Sequence, residues 1–334
     1  MRQAMMRAAS LVRSGVVEVR DFPIPQPGPH QVLVKMHYSS ICGSDVHVIF
    51  DGFHNPDFLG RPGYPGHEGI GIVAESTHAE FPVGSPVLTV PFGQQGGCFA
   101  EYQAVNVAQT IALPAGSDLR RLLLAQQLGT TVFAMKKFLP VASPAPALAV
   151  VIGAGSAGLF FLQLLRARGV EVIISDLNRD RLEVANRLGA AQTVLEPDES
   201  VIEAARALTG GAGVDLVIEA AGYDATRAAS VEAVRARGSV GFFGYPQVRG
   251  LAPFPVERSF RKELSMEWSN NTQAEPGLAS FRTAVDLIQA GAIEVDHCLQ
   301  SMYDLENAPA AVAAARAYGN GAAKIGLVLP ASAG

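Results

Sequence analysis

Two short stretches of this chain carry side chains that bind soft divalent metals. Cys42-Gly43-Ser44-Asp45-Val46-His47 brings a thiol, a hydroxyl, a carboxylate and an imidazole close together, and Gly66-His67-Glu68-Gly69 adds an imidazole beside a carboxylate. A thiolate, a ring nitrogen and a carboxylate oxygen from two neighbouring loops can hold zinc and leave one position for water or substrate. Cys42, His67 and Glu68 are the candidate ligands on that ground. Singly, each is ordinary packing or an ordinary loop residue; the argument lies in the set.

A different chemistry is written in 150–176. The apolar run 148–152 leads into Gly153-x-Gly155-x-x-Gly158, then a helical pattern, a second apolar run at 170–174 and Asp176. That order is strand, turn, helix, strand, acid. Gly153 permits the tight turn, Gly155 lets the backbone approach a pyrophosphate, and Gly158 lets the helix pack on the strand. Ser156 and Ala157 begin a helix whose N–H groups face the phosphates. Asp176 stands where a carboxylate accepts both ribose hydroxyls of NAD, and its charge disfavours the 2′-phosphate of NADP. Arg179 and Arg181 lie close enough to soften that selection; their ordinary role is as solvated charges on the next helix. Arg181 is kept as a candidate cofactor contact.

These two sites need different scaffolds. Up to about residue 125 the pattern is short strands between Gly/Pro turns: 16–19, 31–36, 69–74, 87–90 and 99–105. This predicts an antiparallel, barrel-like β domain with Cys42–His47 in a loop. From about residue 128 strands and helices alternate, with helices expected at 178–188, 198–208 and 225–236 and strands at 192–195, 214–219, 239–243 and 264–268. That predicts a doubly wound parallel sheet of five or six strands. Helices at 281–289 and 308–317 and a closing strand at 324–329, returning to the first domain, complete the chain.

The 334 residues suit two domains, and 49% hydrophobic with 17% charged residues describes a globular chain with ample core. The net charge of −5, with no basic run, speaks against a nucleic-acid or anionic-membrane partner. The uncharged stretch 139–165 contains Pro144, Pro146 and the three turn glycines, and reads as a buried strand feeding a buried helix rather than a membrane span. Three scattered cysteines and an N-terminus without a signal-peptide core point to the reducing cytoplasm.

Taken together, CGSDVH at 42–47, GHEGIG beginning at Gly66, GGCFAEY at 96–102, VIGAGSAG at 151–158, DLNRDRLEVANRLGA at 176–190 and DLVIEAAG at 215–222 resemble the medium-chain dehydrogenase/reductase superfamily, in its zinc-dependent alcohol and polyol (sorbitol, threonine) dehydrogenase-like branch. The resemblance covers nearly the whole chain in order. It implies an α/β protein: a GroES-like β-barrel catalytic domain formed by 1–127 and 268–334, a Rossmann domain formed by 128–267, and an active site in the cleft between them. It implies one catalytic zinc on Cys42, His67 and Glu68, with Asp45 orienting the zinc histidine. Ser44 would take the proton from an alcohol, His47 would pass it to solvent through the cofactor ribose, and Thr130 would lie beside the nicotinamide. The substrate would be a secondary alcohol or polyol, or the corresponding ketone or aldehyde, and the assembly a homodimer or homotetramer.

Two positions depart from the family pattern. A further ligand or near-ligand position falls on Gln126, whose amide is a poor zinc ligand, so Cys, His and Glu plus water is the expected set. The lobe that carries four cysteines in many relatives has only Cys98 here, so no structural zinc is expected; Cys98 and Cys298 read as packed thiols. Phe50, Asp51, Phe53, His54 and Asn55, with Tyr38, Phe92 and Trp268, are candidate pocket residues. Two other readings compete: a zinc-independent NAD(P)H quinone or enoyl reductase of the same fold, and a non-catalytic NAD-binding sensor.

Overall fold

Residues 4–92 and 95–330 are described in a computed structural model. The backbone divides into two units: Met1–Gly129, Asn271–Asn320 and Lys324–Gly334 form the first, and Thr130–Asn270 with Gly321–Ala323 the second.

In the second unit, six strands lie in the order Gln192–Leu195, Glu171–Asp176, Leu148–Ile152, Val214–Glu219, Val234–Phe242, Ser265–Trp268. Every neighbouring pair is parallel. The central strands carry apolar runs, and Ala149, Val150, Val151, Val172, Ile173 and Ile174 are fully buried. Strands buried on both faces read as continuous hydrophobic runs, which is why they were visible in the sequence. The chain begins in the middle, moves to one edge, then returns to build the other side. The reversal puts a switch point between Leu148–Ile152 and Val214–Glu219, where such sheets bind ligands beyond their carboxyl ends.

The first unit is built on a seven-stranded sheet. Its main path runs Ser301–Asp304, Ile325–Val328, Gln31–Ile41, Glu68–Glu75, Pro86–Thr89, Thr110–Ala112, and Tyr102–Asn106 also pairs with Gln31–Ile41. All pairings are antiparallel except that of the first two strands. The ribbon Met5–Arg13 with Val16–Pro23 joins it through a bridge between Ala8 and Ala100. The closing strand Ile325–Val328 pairs with Gln31–Ile41, so distant parts of the chain share one sheet.

Four local expectations are corrected. Met5–Arg13 is a strand that was not anticipated, because Arg7 and Ser10 interrupt its apolar residues. The segment after Cys42 is a helix, Gly43–Phe50, rather than a loop. The helix expected to reach residue 236 ends at Ala233, and Val234–Phe242 is strand, the β-branched Val234 pairing with Val214. The strand expected at 264–268 is present as Ser265–Trp268, with Trp268 paired with Phe242, so the catalytic segment expected to return at 268 returns at Asn271. No helix among the described residues is long and apolar enough to cross a membrane.

Candidate active site

Cys42 stands at the end of strand Gln31–Ile41 and is the N-cap of helix Gly43–Phe50, with extended backbone (φ −81°, ψ 154°). An N-cap must offer acceptors to the first turn's N–H groups. Here Asp45 reaches back, its Oδ2 accepting the Cys42 N–H at 2.9 Å in a capping box. The other oxygen of Asp45 lies 2.8 Å from His67 Nδ1. One carboxylate, 1% exposed, therefore fixes both metal-binding segments. Strand Glu68–Glu75 runs antiparallel to Gln31–Ile41 with Glu68 opposite Ser40, which brings the segments to adjacent strand ends. The outcome is that one ligand atom each from Cys42, His67 and Glu68 lie within 4.8 Å of one another.

The electrostatics suit a cation. With Nδ1 committed to Asp45, His67 presents Nε2 to the site, the usual way a metal-binding imidazole is oriented from outside. Burial pushes this ring toward neutrality, but Asp45, helped by Cys42, outweighs it and raises its pKa well above the ordinary histidine value. Glu68 is 1% exposed. Its Oε2 accepts from Lys324 Nζ at 2.6 Å and from the Ser40 hydroxyl. Its Oε1 is buried with no hydrogen-bond partner among the described residues. A buried carboxylate oxygen left unsatisfied is costly, and a cation held with Cys42 and His67 is the partner it fits. The donor set of S, N and O is that of a zinc site.

Gln126 is buried beside this group, and its Nε2 donates to the His67 carbonyl at 3.4 Å. Its amide thus supports the ligand-bearing backbone. Two residues not singled out in the sequence, Lys324 and Gln127, complete the set. Lys324 is 6% exposed and also donates to Gln127 Oε1 at 2.9 Å; burial lowers its pKa, and Glu68 and Cys42 more than restore it. Ser44, half-buried, lies in the first turn of the capped helix, and His47 in its last, its Nδ1 2.8 Å from Asp51 Oδ2. Of the candidate pocket residues, Phe53 packs edge-on against His47 at 5.8 Å, Asn55 caps a short turn, Tyr38 lies in strand Gln31–Ile41 and Phe92 is exposed.

The three cysteines differ in reactivity. Cys98 and Cys298 are buried; burial with the Asp45 and Glu68 carboxylates pushes the Cys98 thiol well up, and burial pushes Cys298 up against the pull of Lys324. Thiolate is the reacting form, so neither should label. Stripped of metal, the folded protein is expected to give one fast thiol per chain with a disulfide reagent, mapped to Cys42, and zinc should protect it. Fast labelling of Cys98 or Cys298 before unfolding would contradict the burial seen here.

In the second unit, Gly153 has φ +100°, and its N–H donates to the Ser175 carbonyl at 2.7 Å. A Cβ on Gly158 would fall 1.8 Å from the Gly153 oxygen, so helix and turn touch only because no side chain is there. At Gly155, the N-cap of helix Ser156–Arg166, no side chain caps the first turn and a Cβ would meet open space. The Ser156 N–H is given to the Ala323 carbonyl at 3.2 Å, and a helix N-terminus without a side-chain cap beside room for a ligand is what a pyrophosphate needs. Asp176 Oδ2 accepts from Ala154 N at 2.6 Å and Oδ1 from Asn178 N at 2.8 Å. Arg181 is not a solvated charge: it is bonded to the Ala322 carbonyl and lies 3.8 Å from Asp176 Oδ2, whereas Arg179 is exposed. Thr130 is half-buried in helix Ala125–Phe138. Glu219, fully buried, was also missed; it accepts from Ala221 N, Gly222 N and Thr226 Oγ1, and burial raises its pKa against those bonds. Its only sequence signal is an acid ending an apolar strand. It shapes the turn against which Gly153 packs.

Known proteins resemble this chain in sequence and fold. The family model for the alcohol dehydrogenase GroES-like domain matches residues 28–115, and that for zinc-binding dehydrogenases matches residues 157–290. A sorbitol dehydrogenase of Halalkalibacterium halodurans is 29% identical over 80% of this chain and 84% of its own. An L-threonine 3-dehydrogenase of Bacillus subtilis is 30% identical over 66% and 70%. Among solved structures, a Sinorhizobium meliloti protein described as a zinc-binding dehydrogenase and bound to NADP superposes with a TM-score of 0.83 at 27% identity, covering 98% of this chain and 100% of its own.

Proposed function

We propose that this chain, which belongs to the zinc-binding dehydrogenase family and catalyses nicotinamide-dependent alcohol/polyol oxidoreduction, acts on secondary alcohols and polyols with NAD as its preferred cofactor. The observation that carries the metal chemistry is the meeting of Cys42, His67 and Glu68 within 4.8 Å around an unpartnered Glu68 oxygen.

In this reading Cys42, His67 and Glu68 hold the zinc, and Asp45 keeps His67 in the tautomer that presents Nε2. Zinc, when bound, supplies Lewis-acid polarisation of the substrate oxygen, and the nicotinamide supplies the hydride-accepting carbon. Ser44 accepts the alcohol proton at its hydroxyl oxygen, and His47 passes it to solvent. The glycine turn and the first turn of Ser156–Arg166 hold the pyrophosphate. Asp176 accepts the ribose hydroxyls and rejects a 2′-phosphate, which favours NAD over the NADP seen in the S. meliloti relative. Thr130 lies beside the nicotinamide. Among the described residues the outer strand Ser265–Trp268 pairs on one side only, and it exposes Met266 and Trp268, so a second copy on that edge is our reading of the assembly, as a homodimer or homotetramer. Three free cysteines suit a cytoplasmic location.

The test is metal analysis joined to turnover. Dialysed protein is expected to keep about one zinc per chain, as a three-ligand catalytic site does. It should reduce NAD with members of a panel of secondary alcohols and polyols, lose turnover on chelation and regain it with zinc. Activity on quinones or enones without metal would replace this reading with the zinc-independent reductase. Retained zinc and NAD binding without turnover on either panel would favour the sensor.

A further inference from the structure

We propose that Asp51 is a positioning residue for the proton exit: it holds the His47 imidazole by Nδ1, so that Nε2 is the atom that exchanges the proton. This rests on reading His47 as the proton carrier. The two side chains face each other one turn apart, with Nδ1 2.8 Å from Asp51 Oδ2 and side-chain exposures of 19% and 36%. Asp51 is the C-cap of helix Gly43–Phe50, and its N–H donates to the His47 carbonyl at 3.0 Å.

A carboxylate at a helix C-terminus is electrostatically misplaced, because the macrodipole is negative there. Its position makes sense where a nearby imidazole supplies a proton to it. The Phe53 ring packs edge-on to His47 at 5.8 Å and 67°. Two charged groups near this helix are committed elsewhere. Asp45 is shared between Cys42 N and His67, and Arg316, on the helix packed against it, lies over the Phe50 ring at 4.3 Å. A neutral imidazole can carry its proton on either nitrogen, and the partner of one nitrogen decides the state of the other. Asp51 accepts the Nδ1 proton and leaves the Nε2 lone pair to receive one. In alcohol oxidation Nε2 takes a proton and releases it to solvent; in reduction it gives one and is refilled. His47 is unchanged over a cycle, and no electrons pass through it.

Side-chain nitrogen NMR on the zinc-loaded protein tests this without any substrate, with His47→Gln identifying the resonance. The neutral His47 of the unaltered protein is expected to be the Nδ1–H tautomer. Asp51→Asn should shift the population toward Nε2–H, and Asp51→Glu should keep most of the Nδ1–H form. A dominant Nε2–H form in the unaltered protein, or a tautomer indifferent to Asp51→Asn, overturns the proposal. Turnover is the second readout. Asp51→Asn should lower kcat by roughly tenfold, a fraction of what general acid–base groups supply, with KM nearly unchanged and zinc retained. In the His47→Gln background the same change should cost nothing further, the sign of coupled residues. An equal loss in both backgrounds makes Asp51 merely structural. Full turnover in His47→Gln alone overturns the carrier role of His47, an outcome distinct from the tautomer result.

Discussion

Glu68→Ala is expected to lower the stability of the unit that holds it by about 3–5 kcal/mol, because it strips the counter-charge from a buried ammonium. Lys324 is 6% exposed and donates to Glu68 Oε2 and Gln127 Oε1. In the variant only the neutral Gln127 amide remains of these two. A drop of roughly 6–20 °C in melting temperature should follow for a unit of this size. The same variant should lose its zinc and its turnover, but unfolding alone could produce that loss. Glu68→Ala combined with Lys324→Met separates the two. With both charges gone and an apolar chain of similar length in place, most of the stability should return, since buried ion pairs are often replaceable by apolar groups. Zinc and turnover should stay lost, because the carboxylate ligand is still missing. A stable but inactive double variant makes Glu68 both a structural counter-charge and a ligand. Recovery of zinc and turnover in the double variant would remove Glu68 from the ligand set, and a thermally neutral Glu68→Ala would deny the ion pair any structural weight.

That pair also marks the limit of what the residue string could reveal. Cys42, His67 and Glu68 were legible because metal-binding side chains are few and these stand at the ends of recognisable strands. The turn at Gly153–Gly158 was legible because a backbone-controlled site needs glycine at fixed spacing. Lys324 and Gln127 are 197 residues apart, and a single lysine opening a closing strand looks like any solvated lysine until the sheet places it beside Glu68. Ser40 was similarly silent, since a serine in a strand carries no mark of the partner it will meet, and Gln126 stood out only through its place in the family pattern. The helix after Cys42 was misread because its capping box uses a cysteine at the N-cap, outside the Ser/Thr/Asp/Asn set that announces helix starts. The parallel sheet fared best: strands buried on both faces leave continuous apolar runs. The ribbon Met5–Arg13, with exposed residues at its ends and Arg7 within it, left no such run.

Asp176→Asn should reverse the cofactor preference. The carboxylate accepts from the Ala154 and Asn178 N–H groups, and with NAD bound it would also accept from the ribose. Asparagine keeps the size and one acceptor oxygen, so the turn should survive with a modest loss of stability. What disappears is the charge. Losing a charge-assisted hydrogen bond to the ribose removes about 1.5–3 kcal/mol, which lowers kcat/KM for NAD by roughly 10- to 150-fold. For NADP the change acts in the opposite direction. The repulsion between carboxylate and 2′-phosphate is gone, and Arg181, 3.8 Å from Asp176 Oδ2, no longer has a carboxylate competing for it. A gain of about tenfold in kcat/KM for NADP is expected, of the size of one arginine–phosphate contact at a partly exposed site. Arg181 has its own anchor on the Ala322 carbonyl, which keeps the guanidinium in place while its partner changes. Adding Arg181→Ala to Asp176→Asn should therefore cancel the NADP gain without restoring NAD. If the unaltered protein already prefers NADP, as its S. meliloti relative's bound cofactor allows, or if the preference ignores Asp176→Asn, then Asp176 serves only to cap the turn, and selection must be sought in Arg179 or Arg181.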